Sequence, residues 1–501
     1  MPGYYVENFG CRATQADGAA LERQFQERGL TRAHAPAQAA VVVLNTCTVT
    51  AAADQDARAA IRRVRRQNPE ARIVVTGCYA QRAPAEIAAL PGVSLVVGNS
   101  HKHALAEIVI NGLNGAINAS TTATFVPLTS LAAIGLRPTT EDQRPGSASE
   151  IFVSDIFAHT ELLAAPVFEA GGADGNQRTR PNLKVQDGCD NRCSFCVIPY
   201  VRGQSRSLTL DRIIDEVNVL VEAGYREVVI SGINLGRWGR DLADGSHSAT
   251  VGDSPQRLTT NHRRLESLIR AILSETSLEK LRISSVEPMD WSDELIALVA
   301  SSPRIASHAH VPMQSGSDSV LRRMHRKYRP WHYREKITQI RAAMPTAAIG
   351  ADVMVGFPGE TDAEFAETRR MIEDLPLTYL HVFTYSPRPG TPAAAMSNHV
   401  PVPVARERNR ILRELAAEKK SAFMRGFVGK EIEAITLRAP SASLDPSASQ
   451  SVSTEALTDN FLKLHLKGHH EPNRWLRARI ENVVDGALLG ASCEAPPRKP
   501  R

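Results

Sequence analysis

The sequence predicts an α/β protein in three parts: a small amino-terminal parallel-sheet domain, a partial (βα)6 barrel, and a small carboxyl-terminal antiparallel β-barrel. Three observations predict it. Short apolar, β-branched runs return after helical stretches along the first hundred residues. The same alternation restarts at Leu183 and continues through six strand candidates to residue 383. Short alternating segments without helical periodicity fill the last seventy residues.

In the first part, YYVEN, AAVVVLNT, ARIVVTG and SLVVG read as strands, with helical stretches at 19–28, 54–66 and 84–89 between them. Cys11, Cys47 and Cys78 each follow one of the first three strands. Loops at the carboxyl ends of parallel strands are where such sheets collect ligands, so three thiols can converge there. Ordinary buried thiols are the plainer alternative, because Cys47 and Cys78 directly follow strongly apolar runs. The domain is expected over 3–110. A linker with a polar insertion follows at 111–174, where TTATF, RPTTEDQRPGSASE and EAGGADGNQRTR supply turn formers.

The second part is expected over 175–400, with strands at 183–187, 227–232, 281–285, 308–313, 348–357 and 377–383. Helical patterns at 210–223, 263–273, 291–300, 318–324, 331–343 and 362–372 lie between them, and 241–262 is an additional polar loop. A connecting helix is expected within 401–424, with Leu412, Leu415 and Ala416 on one side and Arg406, Arg410 and Lys420 available to solvent. GKEIEAITLR, NFLKLHLKG, WLRARIENVV and GALLGAS are the strands expected of the final barrel at 425–493.

Composition bounds what this protein does. At 501 residues and 43% apolar content the chain can bury substantial cores, and a net charge of +5 permits a polyanionic partner without demanding one. Seven cysteines, an odd number with three crowded into 189–196, do not suit a secreted disulfide framework. The start MPGYYVENFGCRA has no secretory pattern, and AAVVVL at 39–44 is far short of the roughly 20 apolar residues of a membrane helix. A soluble cytoplasmic protein without a membrane partner is expected.

VQDGCDNRCSFCVIPYVRG at 185–203 is the strongest local signal. Three thiolates at Cys189, Cys193 and Cys196 can hold three irons of a 4Fe-4S cluster and leave the fourth open to a small molecule. A structural zinc site completed by a histidine or a distant cysteine is the competing reading, although the spacing differs from paired CxxC knuckles.

With Phe195 before the third cysteine, this motif resembles that of radical S-adenosylmethionine enzymes. The resemblance implies that the open iron chelates the methionine part of S-adenosylmethionine, whose reductive cleavage yields a 5′-deoxyadenosyl radical. The amino-terminal trio resembles that of the methylthiotransferases, where three such cysteines hold an auxiliary 4Fe-4S cluster. VQDGCDNRCSFC, SSVEP, HVPMQSGSDSVLRRMHRKY, DVMVGFPGET and FTYSPRPGTPAA are most similar to the threonylcarbamoyladenosine tRNA methylthiotransferases. Two departures stand out: Thr14 where the family often carries asparagine, and the longer segments at 130–180 and 241–262.

The resemblance implies two 4Fe-4S clusters as cofactors, on Cys189, Cys193 and Cys196 and on Cys11, Cys47 and Cys78, with Cys493 as the spare. It implies S-adenosylmethionine as radical source and methyl donor, a reduced electron donor such as flavodoxin or ferredoxin, and tRNA as partner. The sulfur donor and the oligomeric state stay open. Phe195, Gly232 and Asn234 (in SGINLGRWG), Ser285, Glu287, Gln314 and Gly356 are the expected cofactor-binding residues. Ser284, Ser285 and Glu287 alternatively cap the helix beginning near Asp290; Ser315 and Ser317 are placed like Gln314, and GFPGET is in part a turn.

Arg202 and Arg206 flank the cluster loop and suit phosphate, while Arg58, Arg62, Arg63, Arg65 and Arg66 form either an RNA-attracting group or a solvated helix face. Trp475, Arg477, Arg479, Lys463 and Lys467 give the last barrel its RNA-binding character, although Trp475 equally suits a core anchor. The expected reaction is insertion of a methylthio group at C2 of threonylcarbamoyladenosine beside the anticodon. Isopentenyladenosine in tRNA, a ribosomal-protein aspartate, and a non-enzymatic iron-sulfur RNA-binding protein are the alternatives.

Overall fold

The β-branched runs of the amino-terminal part assemble into one sheet: β1 (Gly3–Asn8), β2 (Thr31–Arg32), β3 (Val41–Thr46), β4 (Arg72–Gly77), β5 (Val93–Gly98) and β6 (Glu150–Phe152). The computed structural model describes residues 3–113, 149–159, 162–163, 179–242, 264–438 and 453–493. Most of the polar segments at 130–180 and 241–262 lies outside the described residues. The order is β2-β1-β3-β4-β5-β6, all parallel. Alternation along the strands sends Val42, Leu44, Ile73 and Val75 to one face and Val41, Val43, Val74 and Val97 to the other. Helices α2 (Ala51–Gln67), α3 (Cys78–Arg82) and α4 (Pro84–Ala88) cover the first face; α1 (Arg12–Glu27) and α5 (Leu105–Leu113) cover the second. Burial on both faces explains why these runs are continuously apolar. Two strands were absent from the sequence expectation: the short β2, and β6, which lies inside the segment expected to be a linker.

Contacts divide the chain into two compact units, Met1–Leu163 with Val197–Gly203, and Ala164–Cys196 with Gln204–Arg501. The five-residue helix α6 (Ile198–Arg202), immediately after the cysteine motif, thus belongs to the first unit. Its Val201 packs with Cys78 and Val197 in a small apolar cluster.

In the second unit the six expected strands form as β7 (Asn182–Asp187), β9 (Glu227–Gly232), β10 (Lys280–Ile283), β11 (His308–His310), β12 (Ala348–Val355) and β13 (Tyr379–Thr384). A two-residue β8 (Arg206–Ser207) pairs antiparallel with β7. Parallel pairing runs β7-β9-β10 and β11-β12-β13. The two sheets join where Leu281 N donates to Arg304 O, Ala306 N to Leu281 O and Val286 N to His310 O. The six parallel strands thereby form one curved array. Helices α7 (Leu210–Glu222), α8 (Leu265–Glu275), α9 (Asp293–Ser301), α10 (Asp318–Arg323), α11 (Pro330–Ala343) and α12 (Asp362–Asp374) pack on a core that includes Leu183, Ile230, Leu281, Val311 and Val353.

Helix α13 (Val402–Arg425) buries Ala405, Arg408, Leu412 and Met424, while Arg406 and Arg410 face solvent. Met424, with Phe427 after it, enters the core of the closed barrel of β14 (Glu431–Thr436), β15 (Ser453–Thr458), β16 (Lys463–Lys467), β17 (Trp475–Val484) and β18 (Ala487–Ser492). Adjacent strands run antiparallel except where β16 and β18 close the barrel in parallel. β15 was missed in the sequence because STEALT carries little apolar alternation.

Candidate metal centres and cofactor pocket

In the first unit, β1, β3 and β4 are adjacent and in register, with Asn8 opposite Asn45 and Thr46 opposite Gly77. Their carboxyl ends deliver Cys11, Cys47 and Cys78 to one edge of the sheet. Gly77 (φ +100°) turns the chain so that Cys78 opens the short helix α3 (Cys78–Arg82). Gly10 (φ +94°) gives Cys47 room: a Cβ there would stand 2.4 Å from Cys47 Cβ and 2.7 Å from its Sγ. Only glycine fits that cradle. Burial pushes the Cys47 thiol up to about 11; the Cys78 and Cys11 sulfurs add to the rise, and the Val49 N–H and Arg202 oppose it. Cys47 therefore lies near enough to the Cys78 and Cys11 sulfurs to feel both.

A polar network surrounds them. Asn99 Nδ2 reaches Cys78 Sγ at 3.6 Å and Val201 O at 2.7 Å. Thr14 Oγ1 lies 3.5 Å from Cys11 Sγ and accepts from Arg202 Nη2 at 3.4 Å. Arg202 and Lys102, both buried, donate to Asp17 Oδ2 at 2.9 and 3.1 Å. Arg202 therefore faces buried Asp17, where the sequence suggested phosphate.

In the second unit the cysteine loop leaves β7 through Asp187, whose Oδ1 accepts from Gly188 N at 2.8 Å. Gln186 clamps the loop, donating Nε2 to Asp187 O and Gly188 O at 2.9 Å each and accepting Asn234 N at 2.7 Å. Asn234 Nδ2 in turn reaches Cys189 Sγ at 3.6 Å. Burial raises the Cys189 thiol; the Asn191 N–H and the Asn234 amide oppose that, and the nearby Cys193 sulfur adds to it. Arg326 Nη1 donates to Cys193 Sγ at 3.2 Å, its Nη2 pairs with Glu287, and its guanidinium stacks over Tyr328. Cys193, Arg326, Glu287, Asn191 and Arg237 line a small cavity. The loop is pinned by Ser194, which receives Ala393 N on its carbonyl and donates N and Oγ to the Met324 and Arg323 carbonyls.

The other expected cofactor residues divide. Gly232 packs against Gln186, where a Cβ would stand 2.8 Å from Oε1. Phe195 meets Phe357 edge-on at 6.4 Å between ring centroids. Ser285 Oγ sits 2.7 Å from His310 Nδ1, and Glu287 stands at the N-cap of the 3-10 turn Pro288–Asp290 with its carboxylate turned to Arg326 and no side-chain capping bond; Ser292 caps α9 by accepting Leu295 N at 3.0 Å. Gln314, at φ +62°, exchanges backbone hydrogen bonds with Asp352 and Met354. Ser315 Oγ is buried 3.0 Å from Thr368 Oγ1, and Ser317 donates its N to Ser315 Oγ at 3.2 Å and lies 3.1 Å from Ser319 Oγ. Gly356 donates its N–H to Glu360 at 2.7 Å and abuts Ala405.

Sequence reasoning missed Arg326, Lys102, Asp17 and Asn99. Arg326 was hidden in the basic run RRMHRK, and the others carried no local signal. Among the described residues no group of three or more His, Cys, Asp or Glu side chains is poised as a metal-ion site. The chemistry of the cysteines nevertheless fits a thiolate-bound cluster: Cys47 feels the sulfurs of Cys78 and Cys11, Cys189 feels that of Cys193, and each trio has a nearby cation or amide donor. Elsewhere, Arg62, Arg63, Arg65 and Arg66 occupy an exposed helix face, and Arg58 donates to Tyr79. Trp475 is half-buried under the Lys280 ammonium beside a cavity that Arg477 also lines. No helix among the described residues is long and apolar enough to cross a membrane.

Residues 3–98 match the model of the Uncharacterized protein family UPF0004 and residues 183–372 that of the Radical SAM superfamily. The chain is 34% identical to Threonylcarbamoyladenosine tRNA methylthiotransferase MtaB of Bacillus subtilis (strain 168), covering 92% of this chain and 89% of that one. It is 32% identical to the protein of the same name from Aquifex aeolicus (strain VF5), over 95% and 99%. A tRNA-2-methylthio-N(6)-dimethylallyladenosine synthase of Novosphingobium aromaticivorans is also 32% identical, over 87% and 86%. Among solved structures, the radical S-adenosylmethionine methyltransferase TsrM of Kitasatospora setae, with cobalamin and a [4Fe-4S] cluster bound, shares the fold at TM-score 0.51 and 15% identity, over 78% of this chain and 76% of that one. The chain belongs to the radical S-adenosylmethionine methylthiotransferases, within the threonylcarbamoyladenosine tRNA methylthiotransferase family.

Proposed function

We propose that this enzyme inserts a methylthio group at C2 of threonylcarbamoyladenosine beside a tRNA anticodon, with S-adenosylmethionine serving as both radical source and methyl donor. One observation carries the reading: each unit has its own cysteine trio at strand ends, with a different set of polar neighbours. Cys189, Cys193 and Cys196 would hold a 4Fe-4S cluster that passes to S-adenosylmethionine the electron received from the reduced donor, and Cys11, Cys47 and Cys78 would hold one that holds or donates the sulfur. Gln186 and Asn234 hold the Cys189 loop in shape, and Arg326 orients Cys193 while fixing Glu287. Exposed Arg477, Arg479, Lys463 and Lys467 on the closed barrel suit phosphate contacts with tRNA. The domain limits at 3–110, 175–400 and 425–493 belong to this proposal, as do a flavodoxin- or ferredoxin-like electron donor and a cytoplasmic location.

A second reading, isopentenyladenosine as the modified base, is favoured by the 32% identity to the dimethylallyladenosine synthase. Reconstituted enzyme is incubated with two tRNAs, one bearing threonylcarbamoyladenosine and the other isopentenyladenosine. Methylthiolation of the first supports the proposal; methylthiolation of the second alone replaces it.

A further inference from the structure

The buried pair Lys102 and Asp17 is not explained by packing. Lys102 is 3% exposed and lies in a short 3-10 turn after β5, with its ammonium 3.1 Å from both Asp17 Oδ2 and Asn45 Oδ1. Burying an ion costs several kcal/mol unless charge and hydrogen bonds compensate it, so an apolar side chain would fill this space at lower cost. The surroundings say what the ammonium faces. Asn45 also donates Nδ2 to Thr14 O at 2.7 Å, and Thr14 Oγ1 touches Cys11 Sγ. Asp17 is shared with Arg202, on the helix whose Val201 packs on Cys78 and accepts from Asn99. A continuous hydrogen-bonded chain thus runs from Lys102 through Asp17, Arg202 and Thr14 to Cys11, and Asn99 ties Cys78 to the same helix. Cys78 is also close enough to act electrostatically on the ammonium: burial lowers the proton affinity of Lys102, Asp17 restores part of it, Arg202 lowers it further and Cys78 raises it.

We infer that Lys102 and Asp17 are positioning residues that set the reduction potential of the metal group held by Cys11, Cys47 and Cys78, Lys102 raising it and Asp17 moderating that effect. This rests on the proposal that this trio holds an iron-sulfur cluster. A cation near a thiolate-bound cluster stabilises the added electron on reduction, and a carboxylate opposes it, so the two residues have opposite signs. A purely structural pair has no such sign.

The test uses full-length protein with Cys189, Cys193 and Cys196 replaced by alanine, reconstituted anaerobically, with iron counted and reduction followed by electron paramagnetic resonance against a series of redox buffers. Lys102→Met is expected to lower the midpoint, with about a tenfold fall in the reduced-to-oxidised ratio at fixed poise, which is about 59 mV for one electron. Asp17→Asn is expected to raise the midpoint, and Lys102→Arg to keep it near that of the parent. If Lys102→Met does not fold, the upward shift in Asp17→Asn and the retained potential in Lys102→Arg carry the test. Iron retained with potentials unmoved, or moved in the same direction by both charge-removing variants, would overturn the inference alone. A parent that holds no iron would overturn both it and the cluster assignment beneath it.

Discussion

Arg326 donates its Nη1 to Cys193 Sγ at 3.2 Å while its Nη2 holds Glu287. One buried guanidinium therefore fixes a cysteine of the radical motif and a carboxylate beyond β10. A charge-assisted hydrogen bond contributes about 1.5–3 kcal/mol, so Arg326→Met is expected to slow release of 5′-deoxyadenosine from S-adenosylmethionine about 10- to 100-fold. Chromatographic assay of 5′-deoxyadenosine checks this, with Arg326→Lys expected between the two. Unchanged cleavage would leave Arg326 a structural residue only.

Gly77 precedes Cys78 at φ +100°, and a Cβ there would stand 2.2 Å from Thr46 O and 2.6 Å from Thr46 N. Since both atoms are backbone, the strand end itself must shift. Gly77→Ala is expected to cost at least about 1–3 kcal/mol through the backbone conformation alone. Thermal melting and iron counting should show a lower Tm and, on the proposed two-cluster assignment, loss of the iron assigned to Cys11, Cys47 and Cys78 with that assigned to Cys189, Cys193 and Cys196 retained.

Glu360 closes the GFPGE turn, accepting Gly356 N and Arg408 Nη1 at 2.7 Å each. Arg408, on α13, also reaches Asp362 at 2.7 Å, so this ion pair ties the connecting helix to the loop after β12. Breaking a buried pair from one side costs about 3–5 kcal/mol, which is the loss expected in Arg408→Met by denaturant unfolding. A loss under about 1 kcal/mol would mean that water reaches Glu360 when its partner is removed.

Glu364 gives a pH signature. Partial burial pushes its carboxyl up, but Arg323, Ser319 and the Thr361 N–H outweigh that and hold it down at about 2, from 4.5. A depressed folded value contributes stability that is fully present above 4.5 and is lost as pH falls toward 2. Glu364→Gln is therefore expected to melt below the parent at pH 7, with the gap narrowing from about pH 4.5 downward and closing near pH 2. Differential scanning calorimetry across that range checks it; a gap constant with pH would trace the loss to the α12 cap alone.

Legibility in the sequence followed the range of the interaction. Strands β3, β4, β5, β9 and β12 were legible because burial on both faces leaves apolar, largely β-branched runs; β1, β7 and β13, where that pattern is weaker, were legible from short apolar or aromatic stretches in the repeating alternation with helices. β2 and β8 are two residues each, and β15 reads STEALT, so pattern could not find them. The placement of Cys11, Cys47 and Cys78 after β1, β3 and β4 and of Cys189, Cys193 and Cys196 after β7 was legible from type and position, since spacing and strand ends are local properties. Arg326, Lys102 and Asp17 were not, because each acts on residues distant along the chain, and a lone basic or acidic residue looks like any solvated one. The contacts of Ser315 and Ser317 are long-range or between near neighbours in the same way: Ser315 meets Thr368, and Ser317 meets Ser315 and Ser319, and neither partner can be read from the local sequence.

The most direct test of the account is mass spectrometry of tRNA nucleosides from cells with and without the gene. It predicts that the methylthio derivative of threonylcarbamoyladenosine disappears on deletion, that unmodified threonylcarbamoyladenosine accumulates, and that wild-type enzyme, but not Cys47→Ala, restores the product. An unchanged level of that derivative, with loss of methylthio-isopentenyladenosine in its place, would contradict it.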